Sequence, residues 1–212
     1  MKYAIIIIGL LFTGLSFGQD AKAKGILDKL STKMKAQKTF YVEFSASIKN
    51  TRNGTNESLT GKGWVKGDKF CASYGENTII SNGVKTWTVV KEEKTVYEAD
   101  ADEKDEESMN PKKLMTMWET GFKNKYDKES TLNSEKVHVI NLYPSQPKGA
   151  KFHTIILYIS KATNELKKVI MKGNDGTEAT YSLTKFTSNP TVEDAKFVYD
   201  KTKYPGYKLV KN

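Results

Sequence analysis

The chain has 212 residues, 34 lysines and arginines against 25 acidic residues, and a single cysteine. One thiol excludes an internal disulfide, so the hydrophobic core and the sheet must supply the stability of the fold. The lysines are spread between apolar residues, and no arginine–aromatic cluster accompanies the net charge of +9. This pattern argues against nucleic-acid binding and indicates a solvated basic surface, with at most a weak attraction to anionic partners or lipid headgroups.

Residues 1–18 have the pattern of a secretory signal peptide. Lys2 precedes an apolar run, and Ser16 and Gly18 are placed as the small residues of a signal-peptidase site. A membrane anchor is the alternative, but the apolar stretch of about 15 residues is shorter than the ~20 that span a bilayer. We therefore predict export, cleavage after Gly18 and one domain over residues 19–212.

Residues 21–37 are predicted to form an amphipathic helix. Ile26, Leu27, Leu30 and Met34 recur at helical spacing, and the aspartate that precedes the segment can cap it. A helix with one apolar stripe buries one face, and we expect that face to lie on a sheet.

Residues 38–50 are predicted to form a long strand with one apolar face. Phe40, Val42 and Phe44 alternate with polar residues, as in a half-buried strand. The returning strand over residues 57–66 carries two glycines on one face, which leave space above the sheet or let it curve strongly.

Nine further runs have the β-branched and aromatic composition of strands, and Asn-Gly and Asp-Gly pairs mark two of the hairpins. They are residues 70–74, 78–81, 84–90, 95–99, 122–128, 136–143, 152–159, 166–171 and 177–186. Ten or eleven antiparallel strands are more than a flat open sheet tolerates. The sequence therefore predicts a mainly β fold with a strongly curved antiparallel sheet and two or three short helices, and an extended C-terminal arm over residues 194–207.

Residues 100–107 are acidic and poor in apolar residues, so we expect a mobile surface loop. A calcium site is the alternative, but the spacing lacks the glycine and the terminal glutamate of an EF-hand. Asn110 and Pro111 then start a short helix that holds Leu114, Met115 and Trp118 among other apolar residues. This helix either covers an apolar site or plugs the core; we favour a cover, because methionine adapts to varied ligands.

No pattern in the chain predicts catalysis. His138 and His153 fall on predicted strands without a carboxylate or cysteine at ligand spacing, which is a weak metal signal. Cys71 lies on a predicted strand and is interpreted as a small buried hydrophobe. Nucleophile, zinc-protease, phosphate-loop and dinucleotide motifs are missing from the sequence. We expect a protein that is not an enzyme and that binds no cofactor or metal.

A curved sheet with an apolar face and apolar helices to close it suits a hydrophobic ligand. Burying an acyl chain of ~14 methylenes at ~0.8 kcal/mol each would contribute about 11 kcal/mol at most. Such a site could carry a lipid through water without special polar contacts.

Several short segments, taken in their order and spacing, carry a resemblance to a known family. They are Phe40-Tyr41-Val42-Glu43-Phe44, Gly63-Trp64-Val65-Lys66, Ile79-Ile80-Ser81-Asn82-Gly83 followed by Trp87, Asn110-Pro111, Phe197-Val198-Tyr199-Asp200 and Tyr204-Pro205-Gly206. Over nearly the whole mature chain, the sequence resembles the periplasmic outer-membrane lipoprotein carriers of the LolA family.

The resemblance implies an unclosed half-barrel of about eleven strands with a helical lid. It implies a periplasmic monomer that takes the acyl chains of lipoproteins from an inner-membrane ABC transporter to the outer membrane, with or without a receptor there. The acyl-chain contacts implied for this chain are Phe40, Val42, Phe44, Val65, Trp87, Leu114, Met115 and Trp118. The sequence departs from the family at Gly67, where other lineages have an arginine that latches the lid.

A second hypothesis is a regulatory or sensing module of the same fold that binds a protein partner or another lipid in the periplasm. Proteins of that kind usually carry a second domain, and about 190 residues after the signal peptide leave no room for one.

Overall fold

One twelve-stranded sheet organises the residues that the computed structural model describes, 20–101 and 118–211. Helix α1, Ala21–Lys35, comes first. The strands are β1 Thr39–Asn50, β2 Thr55–Lys66, β3 Lys69–Tyr74, β4 Asn77–Ser81, β5 Lys85–Val90, β6 Thr95–Asp100, β7 Phe122–Leu132, β8 Glu135–Pro144, β9 Phe152–Ser160, β10 Leu166–Gly173, β11 Thr177–Ser188 and β12 Lys208–Lys211. Two 3₁₀ segments, Asp194–Phe197 and Lys201–Lys203, precede β12.

The sheet is open and strongly curved. Its strand order is β12-β6-β5-β4-β3-β2-β1-β11-β10-β9-β8-β7, and β12 and β7 form two separate edges. Strand twist accumulates over so many strands, and a sheet of this size must curl. The predicted mainly β fold with an unclosed half-barrel is therefore confirmed.

The strand count differs from the expected eleven because the chain end adds a strand. β12 pairs with β6, from Lys208 opposite Thr95 to Lys211 opposite Glu98, and it is the one parallel neighbour in the described sheet. This strand has only four residues, two of which are lysines, so the sequence pattern does not mark it as a strand. Pairing with β6 covers an edge that would otherwise expose free backbone groups.

Helix α1 forms because its apolar stripe is buried and its first turn is capped. Asp20 Oδ1 accepts hydrogen bonds from the backbone N–H groups of Lys22 and Ala23 at 3.0 and 3.1 Å. The other carboxylate oxygen accepts from the N–H of Tyr126 on β7 at 2.9 Å. One side chain thus caps the helix and fastens it to the edge strand of the sheet.

The opposite end of α1 is held by charged groups on the β9–β10 turn. Lys33 Nζ lies 2.8 Å from Glu165 and donates to the backbone carbonyl of Thr163 at 3.0 Å. Lys167 lies 3.2 Å from the same glutamate. These half-buried contacts orient the helix across the sheet, while its apolar stripe supplies most of the attachment energy.

The two faces of the sheet carry different apolar clusters. The face against α1, called the helix face below, includes Phe40, Val42, Val65, Ile79 and Leu157. The opposite face, called the outer face, has a smaller cluster under the C-terminal arm: Ile80, Trp87, Val89 and Val96, with Cys71, Tyr199, Tyr204 and Tyr207 packed against them.

Three of the sequence-based expectations fall outside the described residues: the signal peptide over residues 1–18, most of the acidic loop, and the helix with Leu114 and Met115. Within the described ranges, no helix combines the length and the apolar character that crossing a membrane requires.

Because Asp20 both caps α1 and binds β7, we predict that the stability of the protein depends on pH in the acid range. Hydrogen bonds from the N–H groups of Ala23 and Tyr126 lower the pKa of this carboxyl below 3.8. A carboxyl whose pKa is lower in the folded state stabilises the fold above its unfolded pKa, and the contribution is lost as pH falls through the folded value. We expect Asp20→Asn to lower the urea midpoint at pH 7 and to flatten its dependence on pH below about 4.

The control for this experiment is Asp28→Asn. That carboxylate pairs with Lys24 on the exposed side of the same helix and accepts no backbone hydrogen bond among those described. An equal effect of the two substitutions would contradict a specific role for the cap and its bond to β7.

Candidate ligand-binding face

The start of β1 and its neighbours form the buried part of the helix face. Phe40 and Val42 are buried, and Val65 lies directly opposite Phe40 on β2. The ring of Phe40 stacks on Phe186 of β11 with centroids 5.8 Å apart. The structure therefore brings three of the predicted contact residues together in one cluster, which continues through Ile79 on β4.

Phe44 lies farther along the same strand and is half-buried. It pairs with Gly61 on β2, and a Cβ at position 61 would collide with the ring atoms of Phe44. The glycine thus does leave space above the sheet, and the phenylalanine ring fills it. The centroid of this ring is 6.3 Å from that of Tyr181 on β11.

Around Phe44 the helix face is apolar but only partly covered. Ile48, Tyr74, Tyr181 and Leu183 are half-buried and pack against the main cluster. Burial raises the pKa of Tyr181, as expected for a phenol in apolar surroundings. Here several strands contribute partly exposed apolar side chains to the same face.

Trp118, the predicted lid residue that the structure describes, is packed under α1. Its exposed fraction is 4%, and its Nε1 donates to Ser31 Oγ at 2.8 Å. The adjacent Glu119 forms an ion pair with Lys35 at 2.9 Å. The residue that follows the undescribed segment 102–117 is therefore attached to the C-terminal half of the helix.

Trp87 lies on the outer face of the sheet. The expectation that it lies beside the helix-face residues is therefore wrong. Trp87 lies in the outer-face cluster, where its ring stacks with Tyr199 at 6.2 Å and its Nε1 donates to Glu98 at 3.0 Å. In β5, Trp87 and Val89 are buried on the outer face, whereas Thr86 and Thr88 on the helix face are half-buried. Alternation shows which face of the strand is apolar, but not on which side of the sheet that face lies.

The sequence analysis missed the helix-face residues on β11. Tyr181 and Leu183 stand at odd positions, whereas Phe186 stands at an even one, although all three pack on the same cluster. A register shift in the β1–β11 pairing, between Glu43 and Phe44, accounts for this change of parity. An interrupted alternation was the signal that could have revealed a bulge here.

Gly67, where the resemblance implied an arginine, occupies the turn between β2 and β3. Its φ of +58° lies in the left-handed region, which favours glycine over residues with a side chain. The turn joins Lys66 to Lys69, and both lysines pair with Asp194 of the C-terminal arm, at 3.0 and 3.2 Å. In this chain the two lysines that flank the turn therefore hold the C-terminal arm.

The histidines and the cysteine do not assemble into a reactive site. Burial and nearby Lys161 lower the pKa of His138, whose Nδ1 is 3.4 Å from the Tyr126 hydroxyl. His153 contacts Thr154 at 2.9 Å. Burial raises the pKa of the Cys71 thiol, which favours the unreactive protonated form. In the described parts of the chain, no three His, Cys, Asp or Glu side chains are grouped so as to hold a metal ion.

Comparisons with known proteins agree with this architecture. The sequence profile of the family described as "Outer membrane lipoprotein carrier protein LolA" matches residues 35–200. An uncharacterized conserved protein from Thermus thermophilus is 12% identical, with a TM-score of 0.56 and coverage of 90% of this chain and 99% of that chain. LprF from Mycobacterium bovis is 11% identical, with a TM-score of 0.51 and coverage of 83% and 98%.

A LolA superfamily protein from Nitrosomonas europaea is 11% identical, with a TM-score of 0.46 and coverage of 84% of this chain and 98% of that chain. None of the curated proteins matches this chain. At these identities, the likeness to the Thermus and Mycobacterium structures shows the fold.

The contact between Phe44 and Gly61 predicts a coupled effect on stability. Gly61→Ala places a methyl group where the ring lies, and we expect the free energy of unfolding to fall by about 1–3 kcal/mol. In a Phe44→Ala background the same change should cost far less, because the ring is gone. Urea unfolding of the four proteins of this cycle measures the coupling.

Gly25→Ala is the matched control, since nothing lies within 4 Å of a Cβ at that helical position. This substitution should stabilise the protein by about 0.5–1 kcal/mol. Additive effects of the Phe44 and Gly61 substitutions would show that the ring does not depend on the glycine.

Proposed function

Because this chain belongs to the outer membrane lipoprotein carrier protein LolA family, we propose that it carries lipoproteins through the periplasm by holding their acyl chains against the helix face. The observation that carries this proposal is the partly covered apolar surface around Phe44, which continues a buried cluster spanning several strands. An acyl chain needs apolar surface with little polar chemistry, and that is what this face presents.

We propose that Phe40, Val42, Phe44 and Val65 contact the acyl chains from the sheet, and that Leu114, Met115 and Trp118 contact them from the lid. Trp87 is left out because it faces the C-terminal arm. Trp118 has to leave Ser31 before it can meet a ligand. Loading would therefore separate the lid end from α1, and the empty protein would close on itself.

The proposed partners are acylated lipoproteins, an inner-membrane lipoprotein-releasing ABC transporter and a receptor at the outer membrane. The signal peptide predicted over residues 1–18 supports export to the compartment in which these partners meet. Family membership and the apolar helix face also favour a carrier over an enzyme.

The direct test is to purify the protein from the periplasm after expression with its own signal peptide, and to weigh it by native mass spectrometry. We expect added masses of acylated lipoproteins that detergent removes. A bare protein that also fails to release lipoproteins from inner-membrane vesicles would contradict the carrier function and favour the protein-binding module.

Phe44→Glu tests the site itself. A carboxylate on this apolar surface should abolish lipoprotein binding, because desolvating the charge opposes the entry of an acyl chain. Since Phe44 is half-buried and partly solvated, folding should be largely retained. Release of lipoproteins from vesicles measures the first effect, and circular dichroism during urea unfolding measures the second.

Thr187→Glu is the control, because Thr187 is also half-buried but pairs with Tyr41 and faces outward. It should leave lipoprotein release unchanged. Parallel loss of folding and binding in Phe44→Glu would identify Phe44 as an ordinary core residue.

A further inference from the structure

Two adjoining cavities lie on the outer face of the sheet, opposite the proposed acyl-chain site, and the first also touches Phe44 and Gly61. Their volumes are about 430 and 550 Å³, and both are lined by Ser45, Thr60 and Gly75. Ser45 follows Phe44 on β1, so its side chain points to the opposite face. The cavities form one trough that crosses β2, β1 and β11, and the carrier function does not use it.

The floor of the trough is a grid of short hydroxyl side chains. Ser45 pairs with Thr60 on β2 and with Ser182 on β11, and Ser47 pairs in the same way with Ser58 and Thr180. In the part of the chain that the structure describes, none of these six hydroxyls is bonded to another protein group. Each can both donate and accept, so the floor offers a regular array of free hydrogen-bonding groups.

Charged side chains border this floor on both sides. On one side, Glu43 pairs in register with Lys62 and Lys185, and Lys185 Nζ is 3.8 Å from its carboxylate. On the other side, the register places Lys49 next to Glu178, which lies 3.6 Å from Lys172. The rims of the trough thus carry four lysines and two glutamates. This net positive charge favours a ligand with some negative charge.

An aromatic pair stands at the end of the trough beside Glu43. The rings of Tyr41 and Trp64 are 4.6 Å apart, and the Tyr41 hydroxyl donates to Glu43 at 2.9 Å. Lys196 lies over the Trp64 ring at 5.8 Å. Tyr41 also lines the cavity. Lys185 lies over the Tyr41 ring at 5.7 Å, so this end of the trough combines aromatic surface with two lysines.

We propose that the trough binds a glycan chain, and that it prefers glycans with acidic sugar units. Sugars carry many hydroxyl groups on rings with apolar C–H faces, and the floor and the aromatic pair match these two features. A peptide strand fits less well: β1, β2 and β11 use their backbone groups within the sheet, so no edge is free for strand addition.

The test measures binding of the mature protein by isothermal titration calorimetry to three polymers: polygalacturonate, the neutral glycan pullulan, and polyglutamate. We expect binding to polygalacturonate, weaker binding to pullulan and none to polyglutamate. The nearly isosteric double substitution Thr60→Val with Thr180→Val removes two floor hydroxyls and should weaken polygalacturonate binding about fivefold or more.

Thr88→Val is the matched control, since Thr88 is half-buried on β5 and pairs with Ile79 of the helix face. It should bind polygalacturonate as the parent does. Lipoprotein release by the double variant should remain normal, which separates this proposal from the carrier function. Ser47→Ala provides a second floor variant if the double variant unfolds.

The proposal is overturned by three results: no binding to either glycan, equal binding to polyglutamate, or an unchanged affinity after loss of the floor hydroxyls. Equal binding to polyglutamate would mean that the lysines attract any polyanion. Preferential binding of polyglutamate would point to an acidic polypeptide as the occupant of the trough.

Discussion

The pairing of β1 with both β2 and β11 is the constraint on which the rest of the structure depends. β2 follows β1 directly, whereas β11 comes near the end of the domain, and the two contacts join two meanders into one sheet. One meander runs from β2 to β6 and the other from β7 to β11. Without the β1–β11 ladder, neither meander would share a core with the other, and α1 would have no common surface to cover.

Because β1 lies in the centre of the sheet, its alternating side chains contribute to both faces. Phe40, Val42 and Phe44 point to the helix face, and Tyr41 and Glu43 point outward. The irregularity between Glu43 and Phe44 shifts the pairing with β11 while the pairing with β2 stays in register. The extra residue at this irregularity, Thr184, is on β11, and it lies where the helix face changes from buried to partly covered.

The outer face is more than a solvated surface. Its β3–β6 portion is covered by the C-terminal arm, where Tyr199, Tyr204 and Tyr207 pack over Trp87. Beyond the arm, the β2–β1–β11 portion carries the hydroxyl-lined trough. The sheet thus presents an apolar face to the helix and, on its other side, one aromatic and one polar region.

The fold class, the capped first helix and the positions of the long strands along the chain could be predicted because each rests on local periodicity. The face of Phe40, Val42 and Phe44 was predictable for the same reason, since alternation over one strand is unambiguous when its other face is polar. Alternation failed at Trp87, because it does not show on which side of the sheet an apolar face lies, and at Phe186, where the register shift reverses the parity. β12 was missed because four exposed residues carry no pattern, and their strand conformation comes from pairing with β6.

By itself, the amino-acid sequence determined most of the elements: the eleven strands from β1 to β11, the turns between them, and one helix with a single face to bury. These depend on side-chain spacing and on turn chemistry within a few residues. Only the tertiary structure decided which face of each strand packs in which apolar cluster. It also decided that Phe44 fills the space left by Gly61, and that short hydroxyl side chains on three strands meet in one trough. Those features arise from pairings between distant segments, whose register is set by the packing of the whole sheet.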